Sequence, residues 1–130
     1  MAVFKRILKK DRVRTPPKRG FSWIDRRFVH DFAPALSRNA VFLYFFLVSV
    51  SDRHGLSYFK DDTIASRTGL TVSEIFRSRE LLIHRDLIVW ESPLYQVLSL
   101  PESGTSRREP QRFAELMSQL SRPSRKEGGV

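Results

Sequence analysis

Ala65, Gly69 and Ile75 form a fixed frame within DDTIASRTGLTVSEIFRSRELLIHRDLI, residues 61–88. A small residue four places before a glycine, with an aliphatic residue six places after it, suits two short helices that cross at close range. Ala65 must be small because the second helix passes close over the first. Gly69 stands where the chain leaves the first helix with φ > 0, a conformation that only glycine adopts cheaply. Ile75 fills the angle between the two helices, which a short turn connects. This is the spacing of a helix-turn-helix.

The residues beyond the frame extend the pattern. Leu87-Ile88-Val89-Trp90, then Ser92-Pro93, then Tyr95-Gln96-Val97-Leu98 read as strand, turn and strand, with a loop over 91–94. Upstream, Ala40 to Val48 (AVFLYFFLV) is the longest apolar run. It is too short for a bilayer, which needs about 20 residues. It reads as a helix buried nearly all round, capped by Ser37 and running to about Val50. A short helix over 26–32 should end before Pro34. Asp52-Arg53-His54-Gly55 reads as a turn, and 56–59 as a short strand pairing with the hairpin.

Asp61 and Asp62 offer capping and favourable dipole charge to a helix over 61–68. Thr71 or Ser73 caps the next helix, 72–85, whose positions 72, 75, 82 and 83 form an apolar stripe that includes Arg79. The fold class expected is mainly α with a small β-hairpin (α+β). The chain divides into a basic arm (1–20), a folded body (21–100), a linker (101–109), a short amphipathic helix (110–120) and a polar, disordered tail (121–130). Phe113, Leu116, Met117 and Leu120 lie on one side of that last helix, and Pro110 suits its first turn.

The net charge of +9 invites a nucleic-acid reading, and its distribution sharpens it. Lys5, Arg6, Lys9, Lys10, Arg12, Arg14, Lys18 and Arg19 against Asp11 give the arm +7. Arg122, Arg125 and Lys126 against Glu127 give the tail +2, so residues 21–120 balance at zero. The arm would attract phosphates without sequence preference, or lie in a minor groove. A solvated tail, or a segment that folds on an acidic protein, is an alternative. The absence of cysteine excludes disulfides and thiolate metal sites. The basic N-terminus lacks the apolar core of a secretory signal, so a soluble, cytoplasmic protein is expected.

In a helix-turn-helix the second helix enters the major groove with its N-terminal residues on base edges. The outward positions here are Thr71, Ser73, Phe76, Arg77 and Glu80. Arg77 is the natural reader of a guanine, because its fork matches the O6 and N7 acceptors. Thr71 and Ser73 suit phosphates or bases. Phe76 suits a thymine methyl, a protein partner, or an inward position against the hairpin or the segment before the body. Arg79 reads as a snorkelling or ion-paired structural residue before a base reader. His30, His54 and His84 are scattered, without metal-ligand spacing, and no nucleophile or phosphate loop is readable. No catalytic residue, cofactor, metal or small-molecule substrate is therefore expected, and an enzyme is not the reading.

The stretch 21–100, with its apolar helix leading through SDRHGLSYF into the Ala65-Gly69-Ile75 frame and a hairpin, resembles small bacterial winged helix-turn-helix proteins. Related domains occur in plasmid replication initiators and in accessory proteins beside transposition genes. The resemblance implies a winged helix-turn-helix fold, regulatory or accessory DNA binding, and a reading helix mapping onto 71–77. Glu74 and Glu80 on that helix, and the neutral body, depart from a strong autonomous binder of double-stranded DNA. The alternative is a protein-interaction adaptor that docks a partner through Phe76 or through the helix at 110–120.

Overall fold

The described elements pack against one long apolar helix and leave one of its faces open. The computed structural model describes residues 5–102; the segments expected as an amphipathic helix (110–120), as a tail (121–130) and, for the most part, as a linker (101–109) lie outside the described residues. Helix α1, Arg38–Val50, begins where the Ser37 hydroxyl accepts from the Ala40 N–H at 3.1 Å. Ala40, Leu43, Tyr44, Phe46, Leu47 and Val48 are buried, with Leu43 and Leu47 wholly so. The helix is not buried all round. Phe42 and Phe45 lie on a face that no other described element covers, 42% and 52% exposed. An apolar run without polar punctuation does not reveal which of its faces stays open.

The segment before α1 also differs from expectation. A π-helical turn, Phe28–Phe32, runs directly into a 3-10 turn, Ala33–Ala35, so Pro34 sits inside helical structure rather than beyond it. A missing N–H costs nothing in the first positions of a turn. Phe28 stacks on Tyr44 with centroids 4.1 Å apart, which fastens this segment to α1.

Strand β1, Leu56–Tyr58, follows a turn in which Asp52 Oδ1 accepts from the His54 and Leu56 N–H groups. Those two donors hold the Asp52 carboxyl below the usual carboxylate range. Gly55 closes the turn at φ +83°, and a Cβ there would lie 2.5 Å from the Val97 carbonyl oxygen. Both the dihedral and the close approach exclude other residues.

Helix α2, Asp61–Thr68, and helix α3, Val72–His84, follow; Gly69 sits at φ +80° and donates its N–H to Ala65 O at 2.8 Å. A Cβ on Gly69 would meet nothing, so the dihedral alone selects glycine. Ile75 is wholly buried and Ala65 packs against the same core, as the frame requires. The cap of α2 differs from expectation. Lys60 is the N-cap without a side-chain bond, and Asp61 and Asp62 occupy the first turn. There they still complement the helix dipole.

Strands β2, Ile88–Glu91, and β3, Leu94–Val97, form an antiparallel hairpin, and β1 pairs antiparallel with β3 in the order β1-β3-β2. Glu91 pairs with Leu94, so the loop shrinks to Ser92-Pro93 rather than spanning 91–94. The result is an α+β fold with a small three-stranded antiparallel sheet. No helix of the described residues is long and apolar enough to cross a membrane.

Candidate nucleic-acid interface

Helix α3 is presented by its two ends. At its start Thr71, not Ser73, is the N-cap. The Thr71 hydroxyl accepts from the Glu74 N–H at 3.0 Å, and Glu74 Oε1 accepts from the Thr71 N–H at 2.9 Å. This reciprocal capping box satisfies two donors that a helix start otherwise leaves open. Two of the side chains at the start of the helix are thereby committed to the backbone. Glu74, which in the sequence opposes DNA, is turned to its own cap.

At its end the chain reverses through Asp86 at φ +64°. The Asp86 N–H donates to Ile83 O and the Leu87 N–H to Leu82 O, the paired bonds of a Schellman motif with aspartate where glycine is usual. Aspartate tolerates the left-handed region better than most side chains, which admits it here. The motif turns the chain straight into β2 and sets the hairpin beside α3.

The buried face of α3 is Ile75, Ser78, Arg79 and Leu82. That stripe replaces the expected 72, 75, 82 and 83: Val72 is 54% exposed and Ile83 37% exposed. Arg79 is the centre of the arrangement. Only 3% exposed, it donates from Nη1 to Asp61 Oδ1 at 2.8 Å and to the Tyr95 hydroxyl at 2.9 Å. Its guanidinium carbon lies 3.9 Å from the Trp90 ring centroid, a cation–π contact. One side chain thus ties the start of α2, the middle of α3 and both hairpin strands together. Arg79 is structural, the preferred reading of its place in the apolar stripe. Burial pushes the Tyr95 phenol above its ordinary range, while the hydrogen bond from Arg79 opposes that shift. The sequence did not point to Trp90 and Tyr95 as the partners of Arg79. The available signal was the arginine in an apolar stripe with an acidic helix start upstream.

The outward face carries Ser73, Phe76, Arg77 and Glu80, all exposed. Arg77 Nη1 donates to Ser73 Oγ at 3.0 Å, which draws the guanidinium toward the N-terminal end of the helix. Phe76 is 55% exposed, so it has not turned inward against the hairpin. With Val72 and Ile83 it forms an apolar edge along α3, and Ser73 and Arg77 form a polar edge beside it.

The arm stands apart from this geometry. Its described residues, including Lys5, Arg6, Lys9, Lys10, Arg12, Arg14, Lys18 and Arg19, are all exposed. Among those described residues the regular structure is one 3-10 turn, Lys10–Arg12, and the backbone hydrogen bonds are local, Arg12 N–H to Lys9 O and Gly20 N–H to Pro17 O. The body begins where Ser22 Oγ donates to Ser49 O at 3.2 Å.

Among the described residues no group of three or more histidine, cysteine, aspartate or glutamate side chains is placed to hold a metal ion. His30 lies in the π-helical turn, His54 in the turn before β1 and His84 at the end of α3. In comparisons with protein-family models, curated proteins and solved structures, none matches this chain.

Proposed function

We propose that this protein is a winged helix-turn-helix module that binds double-stranded DNA, with α3 in the major groove, the β2–β3 hairpin along the backbone and the basic arm supplying affinity. The observation that carries the reading is the polar edge of α3. Arg77 is exposed, held toward the helix start by Ser73, and mounted on a helix whose opposite face is locked into the core by Ile75, Arg79 and Leu82. A rigid helix with an exposed guanidinium fork near its N-terminus has what a bidentate guanine contact requires. Thr71 serves the reading as a cap whose hydroxyl hydrogen remains available to a phosphate. The resemblance to replication and transposition proteins suggests a regulatory or accessory role on a mobile element. The module is read as non-enzymatic and without a cofactor.

A second reading, a protein-interaction adaptor of the same fold, is favoured by the apolar edge. Val72, Phe76 and Ile83 are exposed side by side with Glu80, a surface better suited to a protein groove than to phosphates.

One pair of variants separates the readings. Under DNA recognition, Arg77→Ala weakens binding to a selected duplex by about 1–3 kcal/mol and relaxes preference at one base pair. Folding stability changes by no more than about 0.5 kcal/mol. Under the adaptor reading, Arg77→Ala leaves duplex binding intact, and Phe76→Ala abolishes a protein complex instead. Parental DNA affinity of Arg77→Ala at several salt concentrations would overturn readout by this helix.

A further inference from the structure

The open face of α1 is an apolar surface that neither the core nor the proposed DNA face explains. Phe42 and Phe45 stack in parallel, centroids 6.2 Å apart and planes 9° apart. Together with Ala33, Leu36, Val41 and the stem of Arg38 they line a shallow groove of about 460 Å³. An isolated exposed apolar residue is ordinary, but a stacked aromatic pair beside an apolar groove marks a binding surface.

We infer that this groove is covered by the chain's own residues 110–120, docked as an amphipathic helix with Phe113, Leu116, Met117 and Leu120 facing Phe42 and Phe45. Three arguments select that occupant. The first is pattern. Those four positions recur at i, i+3, i+4 and i+7, one helical face, in a segment opened by Pro110. Such a face needs an apolar surface to cover it, and the groove is one.

The second argument is where the described chain ends. Leu100 is buried, and the Pro101 carbonyl accepts from Arg27 Nη1 at 3.2 Å. Arg27 immediately precedes the helical turns that lead to Ala33 at the groove's edge. Six residues of helical rise from 27 to 33 cover only about 9 Å. The residues from 103 to 109, extended, reach about 24 Å, enough to cross that distance and lay the next segment along α1.

The third argument is mass action. A segment on so short a tether faces its groove at an effective concentration in about the millimolar range, well above that of a second copy in ordinary solution. The tethered segment therefore occupies the groove first. The α1 face is then covered in the free protein, and a partner for it must displace residues 110–120.

The two methionines of the chain, Met1 and Met117, make the test direct. In full-length protein with labelled methionine methyl groups and no nucleic acid present, the Met117 methyl should resonate upfield of an unstructured methionine. It should also show cross-relaxation to the Phe42 and Phe45 rings. The shift should persist on dilution and collapse to the unstructured position in Phe45→Ala. Leu120→Asp, a change outside the described residues, should collapse it equally. A Met117 signal already at the unstructured position in the parent would overturn the inference. A shift that fades on dilution would assign the groove to a second copy. A shift that survives Phe45→Ala but is lost in Trp23→Ala would assign the segment to a separate cleft, lined by Trp23, Ile24, Tyr44 and Val48 among others. The last two outcomes overturn it as well. None of these readings involves DNA, so the inference stands or falls apart from the proposed function.

Discussion

Under the proposed function the arm and α3 would meet DNA in two ways, and they are opposite in construction. The arm concentrates eight basic residues against Asp11, and its described residues are all exposed and hold one short turn of regular structure. Helix α3 sits in a body without net charge, yet its inward side chains are buried in the core and fix which face it turns outward, with Arg77 held by Ser73. Charge without order supplies affinity that ignores sequence and falls with salt. Order with little charge supplies geometry, which discriminates between bases but contributes modest affinity. If the proposed function holds, a protein divided in this way would lose its hold on DNA while keeping its preference, or the reverse.

The largest effect should come from the arm. Deleting residues 1–20 should weaken binding to every duplex alike, by orders of magnitude at low salt. It should also flatten the log–log salt dependence by about 0.9 for each phosphate that the arm neutralises. Titrations of specific and unrelated duplexes at several salt concentrations measure both. An unchanged slope would break the comparison at its electrostatic end.

Arg79→Ala should act on the other end. It removes the donor that Asp61 and the buried Tyr95 hydroxyl share and vacates the face of Trp90. Water reaches Asp61, whose side chain is 34% exposed, but not Tyr95. The loss should be about 3 kcal/mol of folding stability, measured by denaturant unfolding. Preference between duplexes should fall with it, while arm-driven, sequence-independent binding survives. Wild-type stability in this variant would mean that Arg79 does not hold the hairpin to α3.

The smallest effect is at the cap. Thr71→Ala removes the hydroxyl that accepts from the Glu74 N–H and releases Glu74 from its place in the box. Stability should drop by about 1 kcal/mol. Binding should weaken slightly for all duplexes, since a loosened carboxylate then faces the phosphates. A tightening on removal of the cap would show that Thr71 itself obstructs the approach.

Much of the body is legible in the amino-acid sequence. Ala65, Gly69 and Ile75 each answer a local or nearest-neighbour demand: a close crossing, a positive φ, an angle to fill. Ser37 caps because a side-chain oxygen three residues before an open N–H is a local fact, while the choice of Thr71 over Ser73 was left to the structure. The pairing of β1 with the hairpin and the exposed place of Arg77 follow from alternation and helical period. Phe76 can be read as inward or outward, because an apolar side chain on a polar face satisfies either rule until its neighbours are known.

What local pattern determined, then, was where each element begins, turns and ends, since caps, turns and periodicity act over a few residues. Tertiary structure alone decided how separate stretches meet. Arg79 gathers Asp61, Trp90 and Tyr95 across gaps of up to 18 residues. Asp86 serves as a helix terminator because Leu87 and β2 need that reversal. Gly55 is demanded by the passing carbonyl of Val97. Phe42 and Phe45 remain open because no other described element covers that side of α1. Each of these depends on distances between residues remote in the chain, which hydrophobic period and local propensity do not encode.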